Sequence, residues 1–359
     1  MTVDAQFAVS LGASLIAIYS YYIWMSRRMA AHAPIMPMGP EEVVPNPSTD
    51  GATAQDPRSS PFEPSISDVL VVKAMLNKAL KLPREVVDTI VDLAEYWPHT
   101  STEGTSDVMV RGSSAEEDRF LLRSAPLGLH RWGRPTRPAN NTLDERIPPR
   151  PRVPGEEFPT EAFQELIDSR ITMLEHPCRR IVFSIRSHDQ GWGGEPGTRG
   201  TYDRSWTWFE VGLERWCKTS TGGTADGGQH TETYEKPSLE LEDLCTILPD
   251  VELDAETGAP QFKHPLLPRE NLKIQCNVTA KRETTEHCIV WSYTDDISPE
   301  RNVEASAKLA ESGRGTATGD GKFVRNLKLG DVVTVWAKAR FAGWLNYVES
   351  IKMDVYYAI

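Results

Sequence analysis

The chain has little cysteine and a shortage of positive charge, and each shortage excludes something. Its five cysteines, Cys178, Cys217, Cys245, Cys276 and Cys288, include no C-x-x-C pair and leave one unmatched, so neither a zinc ribbon nor a disulfide framework fits. That usage suits a reducing compartment. With 39 Lys+Arg against 51 Asp+Glu the net charge is -12, so the chain does not generally attract phosphate backbones, and nucleic acid is not an expected partner. No internal repeat is present. The 359 residues are enough for at least one full core, and the length allows two domains with linkers.

What is present begins with a run that lacks charge altogether. Residues 5–26, "AQFAVSLGASLIAIYSYYIWMS", would make a helix of about 33 Å, long enough to cross a hydrocarbon core of about 30 Å. Tyr21, Tyr22 and Trp24 gather at its C-terminal end, where amphipathic rings favour the headgroup region, and Arg27 and Arg28 follow. A cleaved signal peptide would carry positive charge before the run, whereas Asp4 stands there. A buried core helix would not normally adjoin a long proline-rich tail. The reading is a transmembrane anchor over residues 1–28, with the arginines and everything after them in the cytosol. The mitochondrial outer membrane and the endoplasmic reticulum both suit such an anchor.

Residues 29–64 hold eight prolines among small and acidic residues and read as a disordered tether. Residues 65–98 then show two runs of helical spacing, Ile66, Val69, Leu70, Ala74, Leu80 and Val86, Ile90, Val91, Ala94, Trp97. Pro83 suits a helix start and Pro98 a stop, so a helical hairpin with a break near Lys81 is expected. Residues 99–159 read as a connector rich in proline and arginine: "HTSTEGTSD" is polar punctuation, and "RIPPRPRVP" is either a polyproline-type ligand or a basic linker packed over the next domain.

From residue 160 to 359 the texture changes to short strands rich in β-branched and aromatic residues: "RIVFSIR", "RSWTWFEVGL", "LKIQCNV", "HCIVWSY", "KFVRNLK", "DVVTVWAKARF" and "ESIKMDVYYAI". In the last, Ile351, Met353, Val355, Tyr357 and Ile359 alternate with more polar residues, the mark of a half-buried strand. The connections, including the acidic and glycine-rich stretch from Thr219 to Gly258, lack crossover helices. The expected fold class is therefore mainly β, an antiparallel sandwich preceded by the helical hairpin and the N-terminal transmembrane helix.

The stretch "RSHDQGWGGE", residues 186–195, concentrates candidate chemistry. A general base at His188 oriented by Asp189 is one reading, but adjacent residues on an extended chain point to opposite sides, and no G-x-S-x-G nucleophile accompanies them. Asp189 and Glu195 could offer oxygens to calcium, yet the stretch has neither the i, i+4 histidines nor the clustered cysteines of a zinc site, so no metal and no cofactor are expected. The favoured reading is a strand-end loop. Gly191, Gly193 and Gly194 permit positive φ, and Trp192 either caps the sandwich or offers its ring to a ligand such as a sugar. In "WTWFE", Trp206 and Trp208 share one face of a strand, either a binding surface or a face covered by the helical hairpin. Near the C-terminus "KARFAGWLN" places Lys338, Arg340, Trp344 and Asn346 around a turn at Gly343, a second candidate binding loop or an ordinary wide hairpin.

The blocks "IVFSIRSHDQGWGG", "GTYDRSWTWFE" and "GDVVTVWAKARFAGWLNYVESIKMDVYYA", with "LPREVVDTIVDLAEYW" upstream, resemble a fungal family of uncharacterised membrane-anchored proteins. Its C-terminal half is similar to a galactose-binding-like jelly roll, distantly related to the sugar-binding domains of some F-box proteins. The resemblance implies that strand-end loops hold the ligand, which points to the loops of His188, Asp189 and Trp192 and of Arg340, Trp344 and Asn346; with Trp206 and Trp208 from the strand face above, these are the candidate ligand-binding residues. "LPREVVDTI" also resembles the opening of an F-box, although after Trp97 the sequence turns to Ser, Thr and Gly. The expectation is a membrane-anchored cytosolic binding or adaptor protein with a protein or glycan ligand on the sandwich. The alternative is a hydrolase or metal-dependent enzyme centred on His188.

Two N-x-[ST] sequons, at Asn140 and Asn277, make the topology testable. Protease added outside sealed membranes should digest the domain without detergent, and an endoglycosidase should leave its mobility unchanged. Protection, or a glycan-dependent shift, would overturn the cytosolic placement.

Overall fold

The computed structural model describes residues 63–129, 147–159, 162–163, 176–218 and 243–359. The expected anchor at residues 1–28, all but the last two residues of the tether, and Asn140 lie outside the described residues. Among the described residues no helix is long and apolar enough to cross a membrane.

The helical hairpin forms with the expected break. Helix α1 (Ile66–Leu80) starts on a capping box in which Ser65 Oγ accepts the Asp68 N–H at 3.2 Å and the Asp68 carboxylate accepts the Ser65 N–H at 2.9 Å. It ends at Lys81, whose φ of 51° is left-handed, and Pro83 leads into α2 (Arg84–Leu93). Val69, Val87 and Val91 form the buried side. At the end of α2, Asp92 takes a two-pronged ion pair from Arg179, Nε to Oδ1 at 2.8 Å and Nη2 to Oδ2 at 3.0 Å, and also accepts the Trp97 indole N–H at 2.8 Å. Arg179 in turn stacks on Tyr293, its guanidinium carbon 4.5 Å from the ring centroid. The hairpin is thereby fastened to the sheets.

Eleven strands are found among the described residues: β1 (His99–Arg111), β2 (Asp118–Arg123), β3 (Cys178–His188), β4 (Thr207–Trp216), β5 (Leu244–Leu248), β6 (Asp250–Leu253), β7 (Pro260–Lys263), β8 (Lys273–Cys276), β9 (Thr285–Ser292), β10 (Val332–Ala339) and β11 (Leu345–Tyr357). One sheet has the order β1-β11-β3-β9. The other runs β2-β10-β4-β5, with β8 also pairing with β4, and β6-β7 is a separate hairpin. Every pairing is antiparallel. The inner faces interdigitate in one core, Val110, Phe183, Ile185, Trp291 and Met353 from the first sheet against Leu122, Phe209, Val211, Val333 and Val335 from the second. This is an antiparallel β-sandwich, and the alternating residues Ile351, Met353, Val355, Tyr357 and Ile359 are all buried as the pattern required.

Three expectations are corrected. Residues 99–159 are not simply a connector, because β1 pairs along β11 from His99↔Tyr356 to Arg111↔Leu345, and β2 pairs with β10. The sandwich therefore starts well before residue 160. Within "KFVRNLK" the chain forms a short helix, Lys322–Arg325, rather than a strand, with a further unforeseen helix at Val303–Glu311. The stretch Thr219–Gly258 contains β5 and β6 at its described end.

Ser60–Ile359 is one compact unit. A fragment beginning at Pro159 would leave one edge of β11 and one edge of β10 unpaired, with the apolar residues under β1 and β2 uncovered. It should aggregate or lose cooperative urea unfolding followed by tryptophan fluorescence, whereas the fragment from Ser60 should unfold in one cooperative step.

Candidate functional site at the strand ends

Three connections meet at one end of the sandwich: the loop after β3, the turn between β8 and β9, and the β10–β11 turn. The first is held from within by Asp189. Its side chain is buried and accepts the backbone N–H groups of Gly191 at 2.8 Å and Lys281 at 2.9 Å, together with that of Ala280. Burial raises the Asp189 carboxyl above its ordinary range against the pull of those three donors. The carboxylate is therefore spent on backbone. His188 makes its Nδ1 contact with the Asp189 carbonyl oxygen at 2.6 Å, not with the carboxylate, and its ring stacks on Tyr347 at 4.7 Å between centroids. The orienting relay that a His188 general base needs is not formed.

The loop is then tied sideways. Gln190 accepts the Leu345 N–H at 3.1 Å and donates to the Trp192 carbonyl at 2.6 Å, binding it to the start of β11. Gly191, Gly193 and Gly194 all have positive φ, 82°, 94° and 70°. Trp192 is 62% exposed, and its indole lies across Gly343, where an added Cβ would stand 3.2 Å from the ring. With a φ of 89° as well, Gly343 is the position that lets this turn pass under the indole. Phe341 is 41% exposed and meets the half-buried Trp206 edge to face at 4.6 Å. Trp344 beside them is half-buried. Trp192, Trp206, Phe341 and Trp344 thus make an aromatic rim on braced loops, with the exposed Arg199 and Arg282 at its side.

Beneath the rim, a buried amide relay joins the two sheets. Ser187 Oγ donates to Asn277 Oδ1 at 2.6 Å. Asn277 Nδ2 donates to Thr207 Oγ1 at 3.0 Å and to Asn346 Oδ1 at 2.9 Å, and Asn346 Nδ2 reaches the carbonyls of Trp208 and Lys338 at 3.3 and 3.2 Å. Asn277, the asparagine of the second sequon, is wholly buried.

The remaining sequence candidates face inward on the outer side of the second sheet. Trp208 is fully buried and donates its indole N–H to Glu210 Oε1 at 2.8 Å. Arg340 stacks over that indole and donates to Asp118 Oδ1 at 2.7 Å and to the Pro265 carbonyl at 3.1 Å. Lys338 Nζ contacts Asp118 at 2.9 Å, Glu210 at 3.3 Å and His264 Nδ1 at 2.8 Å. The face is covered by the segment carrying β6, β7 and His264, not by the helical hairpin: Phe262 and His264 pack on Trp336 at 5.5 and 5.2 Å, and the Arg269 N–H donates to Glu210 Oε1 at 3.0 Å. Trp206 and Trp208 accordingly do not form an exposed pair. Sequence reasoning missed Phe341, Asp118, Glu210 and His264. The turn composition around Gly343 could have flagged the first, but Asp118 and Glu210 meet through strand register, and His264 joins them only when the segment carrying β6 and β7 folds over the sheet.

Among the described residues no three His, Cys, Asp or Glu gather as a metal site would require. No protein-family model matches the chain, and neither a curated protein nor a solved structure matches it.

Burial, and then the charge of Lys338, depress His264 to about 4, so the fold holds it neutral while the unfolded chain titrates near 6.5. Its contribution to stability is complete above the unfolded value and is lost as pH falls toward the folded one. Between pH 7.5 and pH 5 the loss is about 2 kcal/mol. His264→Gln should lower stability at pH 7.5 yet lose about 2 kcal/mol less than the native chain on acidification, measured by urea titration at the two pH values.

Proposed function

We propose that the chain is a binding protein whose sandwich takes a glycan or protein ligand on the aromatic rim formed by Trp192, Trp206, Phe341 and Trp344. The observation that carries this reading is Trp192: a large indole left 62% exposed on a loop that Asp189 and Gln190 immobilise. Exposed apolar rings on a preorganised loop lose little entropy on binding, and the flat face of an indole suits the apolar face of a sugar ring. His188, stacked on Tyr347 close by, and Arg199 and Arg282 supply polar contacts at the edge. Asp189, Trp208, Arg340 and Asn346 hold the rim in place from inside and do not touch the ligand.

In this reading the sandwich is of the galactose-binding-like, jelly-roll kind that the sequence resembles. Residues 5–26 anchor it, and it faces the cytosol from the mitochondrial outer membrane or the endoplasmic reticulum. The helical hairpin then forms the adaptor side, where Val71, Met75 and Leu80 are exposed.

The test is a glycan array, paired with proximity labelling from the anchored protein, comparing the native chain with Trp192→Ala. Trp192→Ala should cost at least tenfold in affinity, about 1.4 kcal/mol or more, without changing the urea midpoint, because the side chain is mostly solvated. Unchanged retention of every ligand by Trp192→Ala would remove the rim from consideration. Turnover by the native chain that disappears in His188→Ala would replace binding with catalysis.

A further inference from the structure

Two of the five cysteines meet. Strand β5 runs antiparallel to β4 with Cys245 opposite Arg215 and Leu244 opposite Trp216, and Cys217 extends the ladder by donating its N–H to the Asp243 carbonyl at 2.9 Å. Cys217 and Cys245 are therefore diagonal neighbours on one face of the ladder.

A third strand-like segment closes over the pair. Glu157 bridges to Cys217, Lys218 donates its N–H to the Glu156 carbonyl at 2.8 Å, and the Gly155 backbone packs against Cys217, where an added Cβ would stand 3.8 Å from the Cys217 Cβ. A side chain at position 155 would put its Cβ 2.8 Å from the Lys218 carbonyl oxygen, so the close approach of this amide depends on glycine. The hydrogen bond from Cys217 lowers the Cys245 thiol despite its burial, with the Gly155 amide and Arg152 adding to the effect, while Cys217 is raised. The other two buried thiols behave differently: burial pushes Cys178 up to about 12 and Cys276 up to about 11.

We propose that Cys217 and Cys245 are a reversible disulfide site, oxidised by a small peroxide, that locks the edge strand β5 to β4. The Cys245 thiolate attacks one peroxide oxygen, the S–O bond forms as the O–O bond breaks, and the departing hydroxide takes up a proton as water. Cys217 then attacks the Cys245 sulfenic acid; the S–S bond forms, the S–O bond breaks, and the second water leaves with the Cys217 proton. Two thiols are oxidised and one peroxide is reduced to two waters. Cys245 is 7% exposed, on an edge strand, and hydrogen peroxide is scarcely larger than water.

The test uses the full, reduced chain exposed to hydrogen peroxide, denatured in N-ethylmaleimide, digested, and mapped by mass spectrometry. The expected product is a Cys217–Cys245 cross-linked peptide lighter by two hydrogen atoms, abolished by dithiothreitol, with Cys178 and Cys276 fully alkylated. Cys217→Ser should instead accumulate a Cys245 sulfenic acid that dimedone traps. Should that variant fail to fold, the native peptide map still decides. Full alkylation of both cysteines after peroxide, over-oxidation of Cys245 without a cross-link, or a cross-link to Cys288 would each overturn the proposal.

Discussion

Strand β4 is buried on both faces, and much of the structure follows from that constraint. Its inner side gives Phe209, Val211 and Leu213 to the core, while its outer side carries Glu210 and Glu214, both removed from water. A carboxylate in such a place is tolerated only with a partner at hydrogen-bonding distance, and breaking such a pair costs about 3–5 kcal/mol. Register provides the partners. Glu214 takes a forked pair from Arg123 at 2.9 and 3.2 Å, and Glu210 receives Lys338 and the Trp208 indole. Since β2, β10 and β4 must align for these contacts, the charges select one pairing of the sheet in a way that apolar packing alone would not.

The cover over this face and the rim at the strand ends are consequences of the same arrangement. Arg340 and Asn346 stand on either side of the β10–β11 turn, and their side chains run inward, to Asp118 and to the amide relay. Both feet of the turn are thus pinned, which leaves Phe341 and Trp344 on a short, stiff arch beside Trp192. An exposed aromatic surface is useful for recognition only if it does not collapse onto itself in water, and the polar anchoring beneath prevents that. Polar residues below hold the turn, and aromatic residues are left above them at the surface.

The sequence made some of this legible and hid the rest for physical reasons. Strand β11 could be read because alternation is a local property: Ile351 to Ile359 face a core whatever else the chain does. Strand β1 could not, because "HTSTEGTSD" carries no apolar alternation and becomes a strand through its partner β11. Two-sided apolarity of "WTWFE" is visible in the sequence, but the cover is not, since nothing local marks residues 249–270 as folding back over Glu210. At the candidate site, the glycines and Trp192 were readable from turn chemistry. The inward commitment of Asp189, Arg340 and Asn346 was not, because their partners come from distant strands. That Cys217 and Cys245 become cross-strand neighbours was invisible for the same reason.

Asn277 gives the fold a dependence on where it is made. Its side-chain nitrogen is the link that holds Thr207 and Asn346 together, and the sequence around it is also an acceptor signal for oligosaccharide transfer. That modification precedes folding and occupies this very nitrogen. A chain threaded into a glycosylating lumen would have to accommodate a branched sugar where the sandwich has no space, and the amide relay between its two sheets would be broken. The three residues of that acceptor signal, Asn277, Val278 and Thr279, are all buried in the finished fold.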